Sequence, residues 1–228
     1  MNRTAKERRE AIIHRLYEFF DKKLPKEQAQ LLKEFAPLFY SNAPIDDLEE
    51  RDTADLYGVL LSQWNLSYQR APGETKVHVY NPRLEEHGWQ SAHTVIQVAH
   101  DDMPFLVDSL RMEINRLGFN IHISIHVGGL QFKRNAQHQV VQVLSHAAID
   151  KTNLCKEAPI YFEVDRQTDQ KVLEELKNNL LRILHDVTVA VEDWPLIRQK
   201  VFDTLADLDK TQLDIDPIEV AESKDFLR

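Results

Sequence analysis

The sequence predicts an α+β fold: an N-terminal helical segment, an antiparallel sheet with helices on one face, and a long C-terminal helical extension. Three observations predict it. Apolar residues recur every three or four positions as far as Trp64. Between Lys76 and Asp165 the pattern changes to short alternating runs, interrupted by one helical stripe. From Leu173 the three-and-four spacing returns.

The front contains Ile12, Leu16, Phe19 and Phe20 at helical spacing, then Leu31, Leu32, Phe35, Leu38 and Phe39, punctuated by Pro25 and Pro37. A third helix is expected from Ile45 to Trp64, with Pro44 before it and Asp46 or Asp47 as its cap. This whole stretch reads as packing between helices. Arg70-Ala71-Pro72-Gly73 is a turn signal and marks the first boundary.

Lys76 to Tyr80 is expected as a short strand ended by Asn81-Pro82, followed by a loop over Glu85–Trp89. His93 to Ala99 is expected as a second strand. Asp101-Asp102-Met103-Pro104 then opens a helix, with Asp102 placed to cap the amide of Phe105. Leu106, Leu110, Ile114 and Leu117 form its buried stripe and Gly118 stops it. Phe119 to Val127 is the cleanest strand. Ile121, Ile123 and Ile125 point one way, and His122, Ser124 and His126 the other. Two more strands are read at Gln139–Ser145 and Pro159–Asp165.

A long helix is expected from about Asp169, capped by Thr168 or Asp169. Its stripe is Leu173, Leu176, Leu180, Leu184, Val187 and Val191. Asp193-Trp194-Pro195 reads as the restart of a further helix through Leu208. From Asp203 to Asp225 there are eight acidic residues and two lysines, so this tail reads as a solvated linker. Ser223 to Arg228 reads as the start of another element, and the chain as the front of a larger protein. From His93 onward the element order matches a ferredoxin-like arrangement. The expected divisions are residues 1–70, 71–210 and 211–228.

Composition narrows the function. Hydrophobic residues make up 43% of the chain, enough for a core. The net charge of −9 is poorly suited to neutralising phosphates, so nucleic acid is not expected as a partner. No run approaches the roughly 18 apolar residues of a membrane span. Cys155, the only cysteine, has no partner for an internal disulfide, which fits a cytoplasmic location. With six glycines there is no GxGxxG and no GxxxxGK[ST], so no cofactor-binding residue is assigned.

No catalytic residue is assigned either. Cys155 sits in an expected polar loop (Lys151 to Leu154) with no nucleophile signature around it. Asp101/Asp102 and Glu174/Glu175 are sequence neighbours rather than opposed acid–base pairs. His122 and His126 are about 13 Å apart on a strand rising ~3.3 Å per residue. That is too far to share one zinc ion at ~2.0–2.1 Å, even with His93 or His146 assisting one of them, so no metal is assigned. His122, Ser124 and His126 read instead as a wet or contact face.

The run His100-Asp101-Asp102-Met103-Pro104-Phe105-Leu106-Val107-Asp108-Ser109 closely resembles a segment of the large bacterial NAD-specific glutamate dehydrogenases. Val79-Tyr80-Asn81-Pro82, Gly88-Trp89, Asn115-Arg116-Leu117-Gly118, Ile121-His122 and Leu184 through Trp194 are similar to that family's flanking segments. One departure is His126-Val127-Gly128-Gly129, where the family tends to have His-Pro. The resemblance implies an ACT-like N-terminal domain of an enzyme converting L-glutamate, NAD and water to 2-oxoglutarate, ammonia and NADH. The catalytic lysines and the nucleotide fold of that family have no counterpart in these residues. The implied role is regulation or assembly, with the rest of its own chain and sister subunits as partners. The alternative is an amino-acid sensor at the strand-to-helix junction, Asp101, Asp102, Met103, Pro104, Phe105 and Leu106. There, helix amides can hold a carboxylate and an acid can hold an ammonium. A stand-alone enzyme of other chemistry is a third reading.

Overall fold

The computed structural model describes residues 4–144, 154–210 and 215–227. The chain divides into two units, Met1–Leu184 and His185–Arg228. The fold is α+β with a long C-terminal helix, as the periodicities predict.

Four helices open the first unit: α1 (Ala5–Lys23), α2 (Lys26–Phe39), α3 (Ile45–Glu49) and α4 (Thr53–Tyr68). Thr4 and Glu7 close a reciprocal capping box on α1. Three expectations are corrected here. Pro37 lies inside α2 rather than ending it. The single helix expected over Ile45–Trp64 is two, broken at Glu50–Asp52, where Arg51 turns toward the sheet. Asp46 and Asp47 sit in the first turn of α3, and Pro44 occupies the cap position.

Among the described residues the sheet has six strands: β1 (Lys76–Tyr80), β2 (Thr94–Asp101), β3 (Ile121–His126), β4 (Leu130–Arg134), β5 (Val140–Leu144) and β6 (Leu154–Val164). Every pairing is antiparallel. β6 is central: β2 lies along one edge, while β3 and β4 share the other, pairing with its C-terminal and N-terminal halves. β1 flanks β2 and β5 flanks β4. β4 was not foreseen, although Leu130 and Phe132 alternate with Gln131 and Lys133. β6 is longer than expected, so Cys155 lies on a strand rather than in a loop. Lys151–Asn153 and His146 lie outside the described residues.

Both faces of the sheet are covered. Val95, Ile125, Phe132 and Tyr161 join one core with Leu16, Phe20, Phe35 and Trp64 of the front helices. The alternate row, Ile96, Val98, Ile160 and Phe162, is fully buried on the other face. That side is supplied by the stripe Leu106, Leu110 and Ile114 of α6 (Leu106–Arg116) and by Leu173, Leu176 and Leu180 of α7 (Gln170–Lys210). The helices that follow the strands take one face and the front helices take the other, so the sheet carries helices on both faces rather than on one with the second left wet or as a contact face.

The loop expected over Glu85–Trp89 holds a short helix, α5 (Leu84–His87), closed by Gly88 at φ 74°. This delivers Trp89 onto α4. Asp169 caps α7, its carboxylate accepting from the Lys171 amide at 2.9 Å. No new helix begins at Pro195: α7 continues through it, because a proline removes one intrahelical bond while both flanks retain theirs. In the second unit, part of the expected linker is helical. This is α8 (Pro217–Phe226), capped by Asp216.

Candidate functional site

The junction from β2 to α6 is built differently from a simple cap. Asp101 ends β2, and its carboxylate accepts from the Arg70 guanidinium and from the Gly73 amide at 2.9 Å. It ties down the α4–β1 connection. The Asp102 amide donates to Lys156 O on β6 at 2.9 Å. The expected Asp102 cap of α6 is not formed. Phe105 occupies the cap position at φ 71°, and no side chain caps the helix. The first intrahelical bond comes from Ser109 N to Phe105 O at 3.0 Å. The amides of Leu106, Val107 and Asp108 therefore lack intrahelical acceptors, as in any first turn.

A cavity of about 120 Å³ opens beside this turn, lined by Asp102, Phe105, Val107, Asp108, His126 and Gly128 among others. Met103 and Leu106 also line it; Pro104 is exposed in the loop before it. A Cβ at Gly128 would lie 3.3 Å from Asp102 Oδ1, so the small residue keeps room for that carboxylate. This is the place where the sequence departs from the His-Pro pattern. Phe105 is 67% exposed despite its left-handed backbone. A non-glycine residue held at positive φ is a feature of ligand clamps and switches. Chemically the cavity offers helix amides to a carboxylate and two acids to an ammonium.

The three residues read as a contact face have different surroundings. Pairing shifts between Ile121 and Ile123, a bulge at His122. His122 Nε2 lies 2.7 Å from Asp165 Oδ1, and its ring stacks on His93 at 4.3 Å. Ser124 pairs with Phe162 on β6. His126 lines the cavity four residues on. Among the described residues, no group of three His, Cys, Asp or Glu side chains is placed to hold a metal ion.

Two buried acids organise the sheet. Glu163 of β6 is fully buried, and Arg51 grips both its oxygens at 2.7 Å. It also accepts from the Tyr161 hydroxyl and from Ser91 Oγ at 3.2 Å, and lies 3.0 Å from His93 Nδ1. Burial opposes its charge, yet Arg51, then Tyr161 and His93, hold its carboxyl below the ordinary value. Burial pushes the Tyr161 hydroxyl well up, which keeps it a donor. Glu157, also on β6, accepts from Arg70 Nε at 2.9 Å and Arg134 Nε at 2.8 Å. Sequence reading missed both. A charged residue alternating with apolar ones reads as solvent-facing, and the arginines that pair with these two lie far away in sequence.

Comparison with known proteins then places the chain. Residues 35–180 match the model of the family described as glutamate dehydrogenase, ACT1 domain. The NAD-specific glutamate dehydrogenase of Halomonas elongata is 39% identical over 218 residues, covering 95% of this chain and 13% of that protein. The protein of the same name from Pseudomonas aeruginosa is 36% identical over 193 residues, covering 85% of this chain and 12% of that one. The chain therefore spans about one eighth of the length of these relatives. The matched segment runs from α2 into α7 and takes in the whole sheet and the α6 junction, so the chain belongs to the glutamate dehydrogenase ACT1 domain family.

Proposed function

We propose that this chain is a non-catalytic regulatory domain of an NAD-specific glutamate dehydrogenase, with an amino-acid effector held at the β2–α6 junction. The parent reaction is oxidative deamination of L-glutamate to 2-oxoglutarate and ammonia with NAD; the expected setting is a cytoplasmic homo-oligomer. The parent activity is inferred from the names of the two relatives. The observation behind the site is the uncapped N-terminus of α6 beside the cavity lined by Asp102, Asp108 and His126. A zwitterion matches that pairing of free amides with carboxylates.

The test is thermal unfolding of the protein against a panel of amino acids, NAD and NADH. A ligand bound only by the native state at about 100 times its Kd adds roughly 2.7 kcal/mol, or a few degrees. A shift with one amino acid, abolished in a folded Asp102→Ala variant, supports the sensor. No shift with any of them removes it. Assembly is then the second reading, favoured by the exposed Phe105 at the cap of α6 and the exposed Met112 on that helix.

A further inference from the structure

Arg70 follows α4 and is 1% exposed, yet its guanidinium reaches three separate segments. Nε donates to Glu157 of β6 at 2.9 Å, one Nη donates to Glu74 O at 2.6 Å, and the other donates to the Asp101 carboxylate. Glu157 is gripped from its other oxygen by Arg134 Nε at 2.8 Å. Arg134 in turn donates to Ser67 O at 2.7 Å and Tyr68 O at 3.0 Å, at the end of α4. A planar guanidinium bound at Nε and one Nη has its remaining edge fixed in direction. Arg70 therefore meets Asp101 as a rigid donor, held from the central strand and from the α4–β1 connection.

Asp101 passes that rigidity on. Its second carboxylate oxygen accepts from Gly73 N at 2.9 Å, and its carbonyl oxygen lies 2.8 Å from His100 Nδ1. The next amide, Asp102 N, donates to Lys156 O at 2.9 Å. Beyond it the chain leaves the sheet for the turn that opens α6. The Asp102 side chain lines the cavity, whereas Arg70 and Asp101 do not. Asp101 is 36% exposed, and Glu157 keeps both arginines without it, so losing this pair costs the whole fold little. We propose that Arg70 is a positioning residue of the β2–α6 junction. Through Asp101 it sets where the Asp102 carboxylate and the first turn of α6 stand, and with that the affinity for an effector. The affinity rests on the effector reading of this site; the positioning does not.

The test is amide hydrogen exchange, read residue by residue by NMR, in D101A, D101N and R70K. Exchange separates local opening from global unfolding, so the junction is compared with the amides of Ile160–Phe162 in β6 of the same variant. D101A and R70K should speed exchange at Asp102 N and Ser109 N about tenfold relative to those β6 amides, the size expected for a lost charged hydrogen bond. D101N keeps an acceptor oxygen and should change the ratio less. If R70K does not fold, D101A carries the test. The same variants are then titrated with whichever amino acid raises the melting temperature of the parent. Its affinity should fall about tenfold in D101A and R70K and less in D101N. Junction amides that keep pace with β6 in D101A would overturn the proposal, because the contact then serves only the fold. Faster junction exchange with unchanged affinity would overturn it as well. So would equal losses of affinity in D101A and D101N, which would mean that the Asp101 charge itself meets the ligand. A parent that binds no amino acid removes the effector reading, and the exchange ratio still decides whether Arg70 positions the junction.

Discussion

Arg51 holds Glu163 through two parallel bonds of 2.7 Å, across 112 residues of sequence. The arginine sits at the break between α3 and α4, and the glutamate is on the central strand. The break is needed to bring the guanidinium down onto the sheet, so one ion pair fixes the front helices to β6. The carboxylate is fully buried and the arginine side chain is 21% exposed. Removing one partner of such a pair strands a buried charge. Arg51→Ala should destabilise the protein by about 3–5 kcal/mol in urea unfolding. Pairing that change with Glu163→Gln should cost clearly less than the sum of the two single changes.

The same carboxylate sets an acid limit. Its native value is depressed, so the unfolded chain, with Glu near ~4.3, takes up the proton first as pH falls. The stabilisation is complete above that unfolded value and is lost as pH falls through the lower native one. Stability of the native protein should therefore drop steeply below about pH 4.3. Glu163→Gln should start less stable near neutrality and show a shallower slope in that acid window. Equal slopes for the two proteins would locate the acid sensitivity elsewhere.

Trp89 packs on the bare backbone of Gly58. A Cβ there would lie 2.2 Å from Trp89 Cγ, closer than any real contact. Trp89 is 2% exposed and held in the α4 core, so it has little room to move. Gly58→Ala gains helix propensity worth ~1 kcal/mol, but overpacking should outweigh it, for a net loss of about 1–3 kcal/mol. Urea unfolding measures the loss, and the near-ultraviolet circular dichroism of Trp89 should change with it.

How much of this was legible depended on whether one face or two were buried. Periodicity located α1, α6, β3 and α7 because each has an apolar row at a single period, whereas β2 is legible as a short, nearly continuous apolar run buried on both faces. It failed at the α3–α4 break, where Leu48 and Leu56 stay in helical phase across Glu50–Asp52 although the chain turns. It missed β4, a five-residue strand directly after Gly128-Gly129. The buried acids were hidden by a correct rule applied to the wrong surface. Glu163 alternates with Phe162 and Val164 and so reads as solvent-facing, but the front helices cover that face and supply Arg51. Long-range pairs such as these leave no local pattern. At the candidate site the ten-residue match found the segment, while the reading of Asp102 as a cap rested on residue preference alone and was overruled by the backbone of Phe105.

Phe105 offers the sharpest separation of stability from function. Its φ of 71° is cheap for glycine and costs other residues of order 1 kcal/mol or more. Its ring is 67% exposed, so little packing is lost when it is removed. The opposing effect is the extra freedom glycine gives the unfolded chain, up to ~1 kcal/mol. Phe105→Gly should therefore leave stability within about 1 kcal/mol of the parent, whereas Phe105→Ala, which keeps the strain and loses the ring, should be the less stable of the two. If the ring closes over a bound amino acid, both variants should lose the ligand-induced shift of the melting temperature together. A ring that served only the fold would separate them, the glycine variant retaining the shift and the alanine variant losing stability without ligand.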